Sequence, residues 1–158
     1  MNPVFAARRA FSLIELVIVV VIIGIIAAIA VPRMSRGAAG ATDASLNGSL
    51  AVLRNAIDLY AQEHGGGFPP AGTFEDHMTK YTDSTNSCTP VATSSGNFIY
   101  GPYLRALPAL PVGTKKGATG VAAADGANVG WIYDASTGAI RANTTTEADA
   151  TGKLYSSY

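Results

Sequence analysis

The sequence predicts an α+β chain. A long N-terminal helix, apolar in its first half and amphipathic in its second, packs against a small C-terminal head that contains a β-hairpin. Three observations carry this. The run from Phe11 to Val31 has only Ser12 and Glu15 as strongly polar residues. Leu46, Leu50, Leu53, Ile57 and Tyr60 then recur at steps of 4, 3, 4 and 3, which is one face of an α-helix. Gly130–Tyr133 and Ala139–Asn143 flank a turn sequence, Asp134–Gly138, in the pattern of a hairpin. At 158 residues the chain has room for one domain of ordinary size and not for a multidomain enzyme.

Composition narrows the function classes. Eleven basic and eleven acidic residues cancel. A surface that tracks nucleic acid usually carries a clear basic excess, so no nucleic acid partner is required. The single cysteine, Cys88, permits neither an intrachain disulfide nor a multi-cysteine zinc site. It lies in the polar stretch Thr82–Gly96 with no base nearby and reads as an unreactive thiol. His64 and His77 do not stand at a metal-ligand spacing.

Met1–Ala10 is a short leader with Arg8 and Arg9 and no acid. The apolar run that follows is long enough to cross a membrane, since about 20 helical residues span the hydrocarbon layer. Both faces are apolar from Leu16 to Val31, and no other part of the chain is large enough to wrap them. Glu15 is the anomaly. A carboxylate deep in a membrane helix costs on the order of 2.5–3.5 kcal/mol when unpaired. It either lies solvated at headgroup level or has a cationic partner. A cut between Ala10 and Phe11 would create an α-amino group four residues before Glu15. That amine could serve Glu15 of the same chain or of a neighbouring copy.

The segment Arg8-Arg9-Ala10-Phe11-Ser12-Leu13-Ile14-Glu15-Leu16, with its apolar run, Gly24 and Pro32, resembles the N-terminus of type IV prepilins and type II secretion pseudopilins. The resemblance implies a leader, residues 1–10, removed by a prepilin peptidase after Ala10. It implies N-methylation at Phe11, and Glu15 as the carboxylate that pairs with a neighbour's N-terminal amine during assembly. The family normally has Gly before the cut, where this chain has Ala10. Two other readings of the segment stay open. Arg8-Arg9-Ala10-Phe11 also resembles a twin-arginine signal. Ala28-Ile29-Ala30 fits a signal-peptidase site that would release a chain starting at Val31. Glu15 within the run, and a run longer than a signal core, argue against both. Arg8 and Arg9 flank one end and Arg33 and Arg36 the other, so charge does not orient the span. The resemblance places the leader in the cytoplasm and the head in the periplasm or outside the cell, on a single-pass inner-membrane protein.

Residues 11–31 are thus read as a transmembrane helix and 32–65 as its amphipathic continuation, ended by Gly65-Gly66-Gly67. Pro32 removes a backbone bond, and Gly37, Gly40 and Gly48 are poor helix formers. The stretch from Pro32 to Thr42 is expected to be a hinge or a melted segment. His64 is expected to act as a favourable charge at the helix C-terminus.

Residues 66–143 form the head. Phe68-Pro69-Pro70 is expected to be extended. Thr73 and Asp76 resemble a capping box that opens a short helix from Phe74 to about Tyr81. Thr82–Gly96 reads as a surface loop, Leu107–Pro111 as extended and Lys115–Asn128 as flexible. Trp131 and Tyr133 share one strand face, which is expected to cover the Leu46–Tyr60 stripe. Residues 144–158 read as a loose polar tail. Tyr103-Leu104, Pro108, Pro111 and the hairpin are similar to the C-terminal regions of major pseudopilins. Many type IV pilins carry a C-terminal disulfide loop, which a single cysteine excludes, and this favours a pseudopilin. Major pseudopilins often bind calcium near the C-terminus. Asp125, Asn128 and Asp134 are the oxygen donors in that region, though without a recognisable ligand spacing, and solvated loop residues are the plainer reading.

No nucleophile with a base, paired carboxylates or phosphate cradle meets the requirements of an active site, so the chain is not expected to be an enzyme. The function expected is structural: a subunit of a homo-oligomeric helical filament, working with a prepilin peptidase, an inner-membrane assembly platform and minor pseudopilins. A type II secretion pseudopilin is the first reading and a type IV pilin for adhesion, motility or DNA uptake the second. A secreted or membrane-anchored binding module is the alternative from another class.

Overall fold

A computed structural model describes residues 11–85 and 89–158, with residues 31–39 described by backbone alone. The leader, Ala10 and Cys88 lie outside the described residues. The chain divides into two compact units, Met1–Ala38 and Ala39–Tyr158, and helix α1 (Leu13–Glu63) contributes to both. Helix α2 covers Phe74–Thr79, and strands β1, β2 and β3 cover Gly120–Ala122, Val129–Tyr133 and Ile140–Ala142.

In the first unit, the N–H of Leu16 bonds the carbonyl of Ser12 at 3.2 Å. Ser12 therefore stands at the N-cap, and the helix begins two residues after Phe11. Among the described residues one helical stretch, Leu13–Ala30, is long and apolar enough to cross a membrane, and none of it is buried within the chain. The backbone remains helical through Pro32 and on to Thr42, so that stretch is not melted. A proline removes one bond and crowds one turn, and the turns on either side can carry the helix through. The boundary between the units, at Ala38/Ala39, falls inside the same stretch.

The second unit is built on the apolar stripe. Leu46, Leu50, Leu53, Ile57 and Tyr60 are all buried, together with Phe74, Met78, Leu110, Trp131, Tyr133 and Ile140. Each such side chain stabilises the fold by about 1.5–3 kcal/mol relative to exposure. The sheet has the order β1-β2-β3. Strands β2 and β3 form the expected hairpin, antiparallel, with Trp131 opposite Ala142 and Tyr133 opposite Ile140. Trp131 and Tyr133 face the core, two residues apart on one side of the strand. Their polar ends reach the proline-rich segments. Trp131 Nε1 donates to the Pro108 carbonyl at 2.8 Å, and the Tyr133 hydroxyl donates to the Pro69 carbonyl at 3.0 Å. Extended proline segments leave carbonyls without a ladder partner, and the two aromatic side chains satisfy them.

Three expectations are corrected. The stretch Lys115–Asn128 is not flexible throughout, because it contains β1, which pairs in parallel with β2. Parallel pairs usually need about a dozen residues to cross over. Here β1 is only three residues long, so residues 123–128 need to return just roughly 10 Å. Glycine allows the close approach: a Cβ on Gly120 would lie 2.5 Å from the Asn128 carbonyl oxygen, and one on Gly130 only 2.3 Å from that of Ala118. Second, α2 ends at Thr79, short of Tyr81, and the Thr73 side chain makes no cap bond. Lys80 turns extended, and Tyr81 and Thr82 form β-bridges with Val91 and Tyr100.

Third, residues 144–158 are docked rather than loose. Ala148 bridges Leu154, and a 3₁₀ turn follows over Tyr155–Ser157. Arg54 Nη2 donates to the carbonyls of Ile140 at 3.3 Å and Tyr158 at 2.5 Å. The Tyr155 hydroxyl donates to Asp43 at 3.0 Å. The polar residues of this segment fix its turns and its attachment, and are not merely solvated. His64 stands directly after the last residue of α1. It is buried, stacked on Tyr60 with ring centres 3.7 Å apart, and its Nδ1 lies 2.8 Å from the Tyr60 carbonyl. An apolar N-terminal helix with a small mixed sheet and short helices is an α+β, pilin-like arrangement.

Candidate functional site

The functional residues expected from the sequence fall in two places, the start of α1 and the loops of the head. At the start of α1, Phe11 is 79% exposed, and Glu15 lies in the first helical turn with its side chain exposed. With Ser12 at the N-cap, Glu15 takes the third helical position. The unpaired N–H groups of a first turn favour a carboxylate there. Glu15 is also the one charged residue between Leu13 and Ala30. The side chains that follow it, Leu16 to Ile29, point outward on every face. A helix apolar all round and covered by none of its own chain must be covered by lipid or by other chains. In such surroundings a single carboxylate is costly when it lies deep and unpaired.

The three donors considered for calcium do not form one site. Asn128 and Asp134 stand at opposite ends of the five-residue strand β2, about 20 Å apart along the strand. Asp134 serves the hairpin turn: one oxygen accepts from the Ser136 N–H at 2.9 Å and from its hydroxyl at 2.7 Å. The Ser136 hydroxyl is the main cause holding the Asp134 carboxyl below its usual range. Asn128 adopts the left-handed conformation, φ 58°, and its carbonyl accepts the Gly120 N–H. Asp125 Oδ1 accepts from Lys115 Nζ and, at 2.8 Å, from Asn143 Nδ2. Among the described residues no three His, Cys, Asp or Glu side chains converge as a metal site would need.

Two other carboxylates organise the head. Glu147 accepts the Thr114 N–H at 3.0 Å and the Thr114 hydroxyl at 2.9 Å on one oxygen, and the Thr145 N–H at 3.0 Å on the other. These bonds, the Thr114 N–H first, hold its carboxyl down at about 2. Asp149 is lowered chiefly by the Tyr158 hydroxyl, and the same bond lifts the Tyr158 phenol to about 12. Near the end of α1 the Tyr103 hydroxyl donates to Glu63 at 2.6 Å, and burial, reinforced by that bond, raises the Tyr103 phenol. Sequence patterns give no warning of Glu147. It follows three threonines in a segment that reads as solvated, and its partner Thr114 lies 33 residues earlier.

Comparison with known families finds a match at the N-terminus. Residues 6–31 fit the prokaryotic N-terminal methylation motif. The matched span contains Ala10, Phe11 and Glu15, and it is consistent with a pilin or pseudopilin subunit that a prepilin peptidase processes. No curated protein and no solved structure matches the chain. The first part of α1 is thus similar to the membrane and assembly segment of a filament subunit, while the head is described by its own geometry alone.

Proposed function

We propose that the chain is a structural subunit of a pilus-like filament, and specifically a type II secretion pseudopilin. The observation that carries this is the register of the N-terminal segment. Glu15 stands four residues after Phe11, inside a helix whose apolar side chains face outward and within the matched methylation motif. Cleavage after Ala10 gives Phe11 a new amine, which methylation leaves cationic. That amine then supplies the charge that Glu15 of a neighbouring copy requires. Repetition of this pairing along an interface that does not close builds a helical filament. Before assembly the same helix anchors the subunit in the inner membrane, with the head on the far side. Pro32 serves as the hinge that lets the head adjust as the helix leaves the membrane for the fibre. The prepilin peptidase, the assembly platform and minor pseudopilins are the partners. The single cysteine favours a pseudopilin over pilins that close a C-terminal loop by a disulfide.

The test is the intact mass and N-terminal residue of the protein purified from membranes. An N-methylated Phe11 start is expected. A Val31 start would mean ordinary export of a head with another role, and a Met1 start would mean an uncut anchor. Deletion of the gene is expected to abolish protein secretion without removing long surface filaments. The reverse result would assign the subunit to a type IV pilus.

A further inference from the structure

We infer that the loop between β1 and β2 takes its cation from the chain itself: the Lys115 ammonium fills the role that a bound calcium would otherwise have. The loop must be held, because residues 123–128 turn back sharply between two parallel strands and Asn128 sits in the left-handed region. Lys115 Nζ reaches Asp125 Oδ1 and, at 3.1 Å, the Gly126 carbonyl oxygen. A carboxylate and a backbone carbonyl converging on one positive centre are the ligand types that a hard divalent cation collects. Here the centre is a primary ammonium, which binds the same oxygens as a hydrogen-bond donor.

Asn143 closes the arrangement against a metal. Its Nδ2 donates to Asp125 Oδ1 at 2.8 Å and to the Val129 carbonyl at 2.7 Å. Both partners are acceptors, so the amide nitrogen faces them and the amide oxygen is turned away. Asp125 Oδ1 therefore receives two donors, an ammonium and an amide. A divalent cation would have to displace both, and it would not gain Asp134, which stands at the far end of β2. The lysine arrives by a local route. The turn at residues 113–118, closed by bonds from Lys116 N–H to Gly113 and from Ala118 N–H to Lys115, carries Lys115 to the loop. Lys115, Asp125 and Asn143 all lie in the second unit, so their arrangement is the same whichever filament the subunit builds.

The experiment is thermal melting of the full chain in detergent micelles, followed by the fluorescence of Trp131, with millimolar calcium or with a chelator. The wild-type melting temperature is expected to be the same in both. Lys115→Gln and Asp125→Asn are each expected to lower it by about 2–4 °C, the size expected for a partly exposed pair in a head of this size. The double variant is expected to fall by less than the sum of the single losses, because both remove the Lys115–Asp125 pair. A rise of the wild-type melting temperature with calcium that Asp125→Asn abolishes would overturn the inference, and so would fully additive losses in the double variant. The wild-type comparison decides even if a variant fails to fold.

Discussion

In α1, Ile22, Ile23 and Ile26 stay 51–60% exposed, whereas Leu46, Leu50 and Leu53 are sealed to 1% or less. The same kind of side chain, on one helix, meets opposite surroundings. The difference lies in the pattern. Apolar residues on all faces have nothing to hide behind in the chain, so their cover must come from outside. Apolar residues on one face can be covered by a head of modest size. Stability of the head is therefore an internal matter, and the role of the first segment depends on other molecules.

Four experiments break or sharpen that contrast. The largest effect is expected from Glu15→Ala, which should leave the protein in the membrane, leave the melting of the head unchanged and abolish filaments in a sheared-filament assay. Normal filaments from this variant would remove the charge pairing. Next, Leu50→Ala should destabilise the head by about 2–5 kcal/mol, the usual range for a sealed leucine. Ile22→Ala should leave head melting unchanged. Equal losses in the two variants would mean that the first segment is covered by the chain after all. Gly130→Ala should cost about 1–3 kcal/mol in denaturant unfolding, because its Cβ would press on the Ala118 carbonyl.

The smallest effect concerns Glu147. Its carboxyl is held down at about 2 from the ordinary 4.5. A depressed carboxyl stabilises the fold fully above its unfolded value and loses that contribution as pH falls through the folded one. Head melting should therefore decline between pH 4.5 and about 2, and Glu147→Gln should flatten that decline. An unchanged slope in the variant would assign the acid sensitivity to other carboxylates, such as Asp149.

Much of this arrangement is legible in the sequence because it is periodic or close-range. The apolar run, the leucine stripe and the Trp131–Tyr133 hairpin each repeat within a few residues, and all three occur in the fold. The start of α1 is legible for the same reason, since Phe11, Glu15 and the run lie in one short register. Strand β1 is not legible: a three-residue strand of Gly, Val and Ala has too little pattern to separate from a loop. The docking of residues 144–158 is hidden as well. It depends on Arg54, Asp43 and Thr114, which lie far away in sequence, and on hydrogen bonds to backbone groups that carry no residue-type signature. The calcium donors fail in the opposite direction. Asp125, Asn128 and Asp134 are close in sequence, and strand β2 carries Asp134 away from the other two.

The contacts over the stripe have a consequence for the order of events during synthesis. Arg54 meets residues 86 and 104 positions later in the chain, and Asp43 meets one 112 positions later. The helix is made first and its cover last. Until Trp131, Tyr133 and the segment beyond them have emerged, Leu46–Tyr60 is a sticky amphipathic rod with no lid. Contacts of such long sequence separation form slowly, because the intervening chain must be closed before they yield any stabilisation. A newborn chain therefore passes through an interval in which this apolar stripe is complete and its own protection is not. That interval is when a membrane or a chaperone would matter most to its fate.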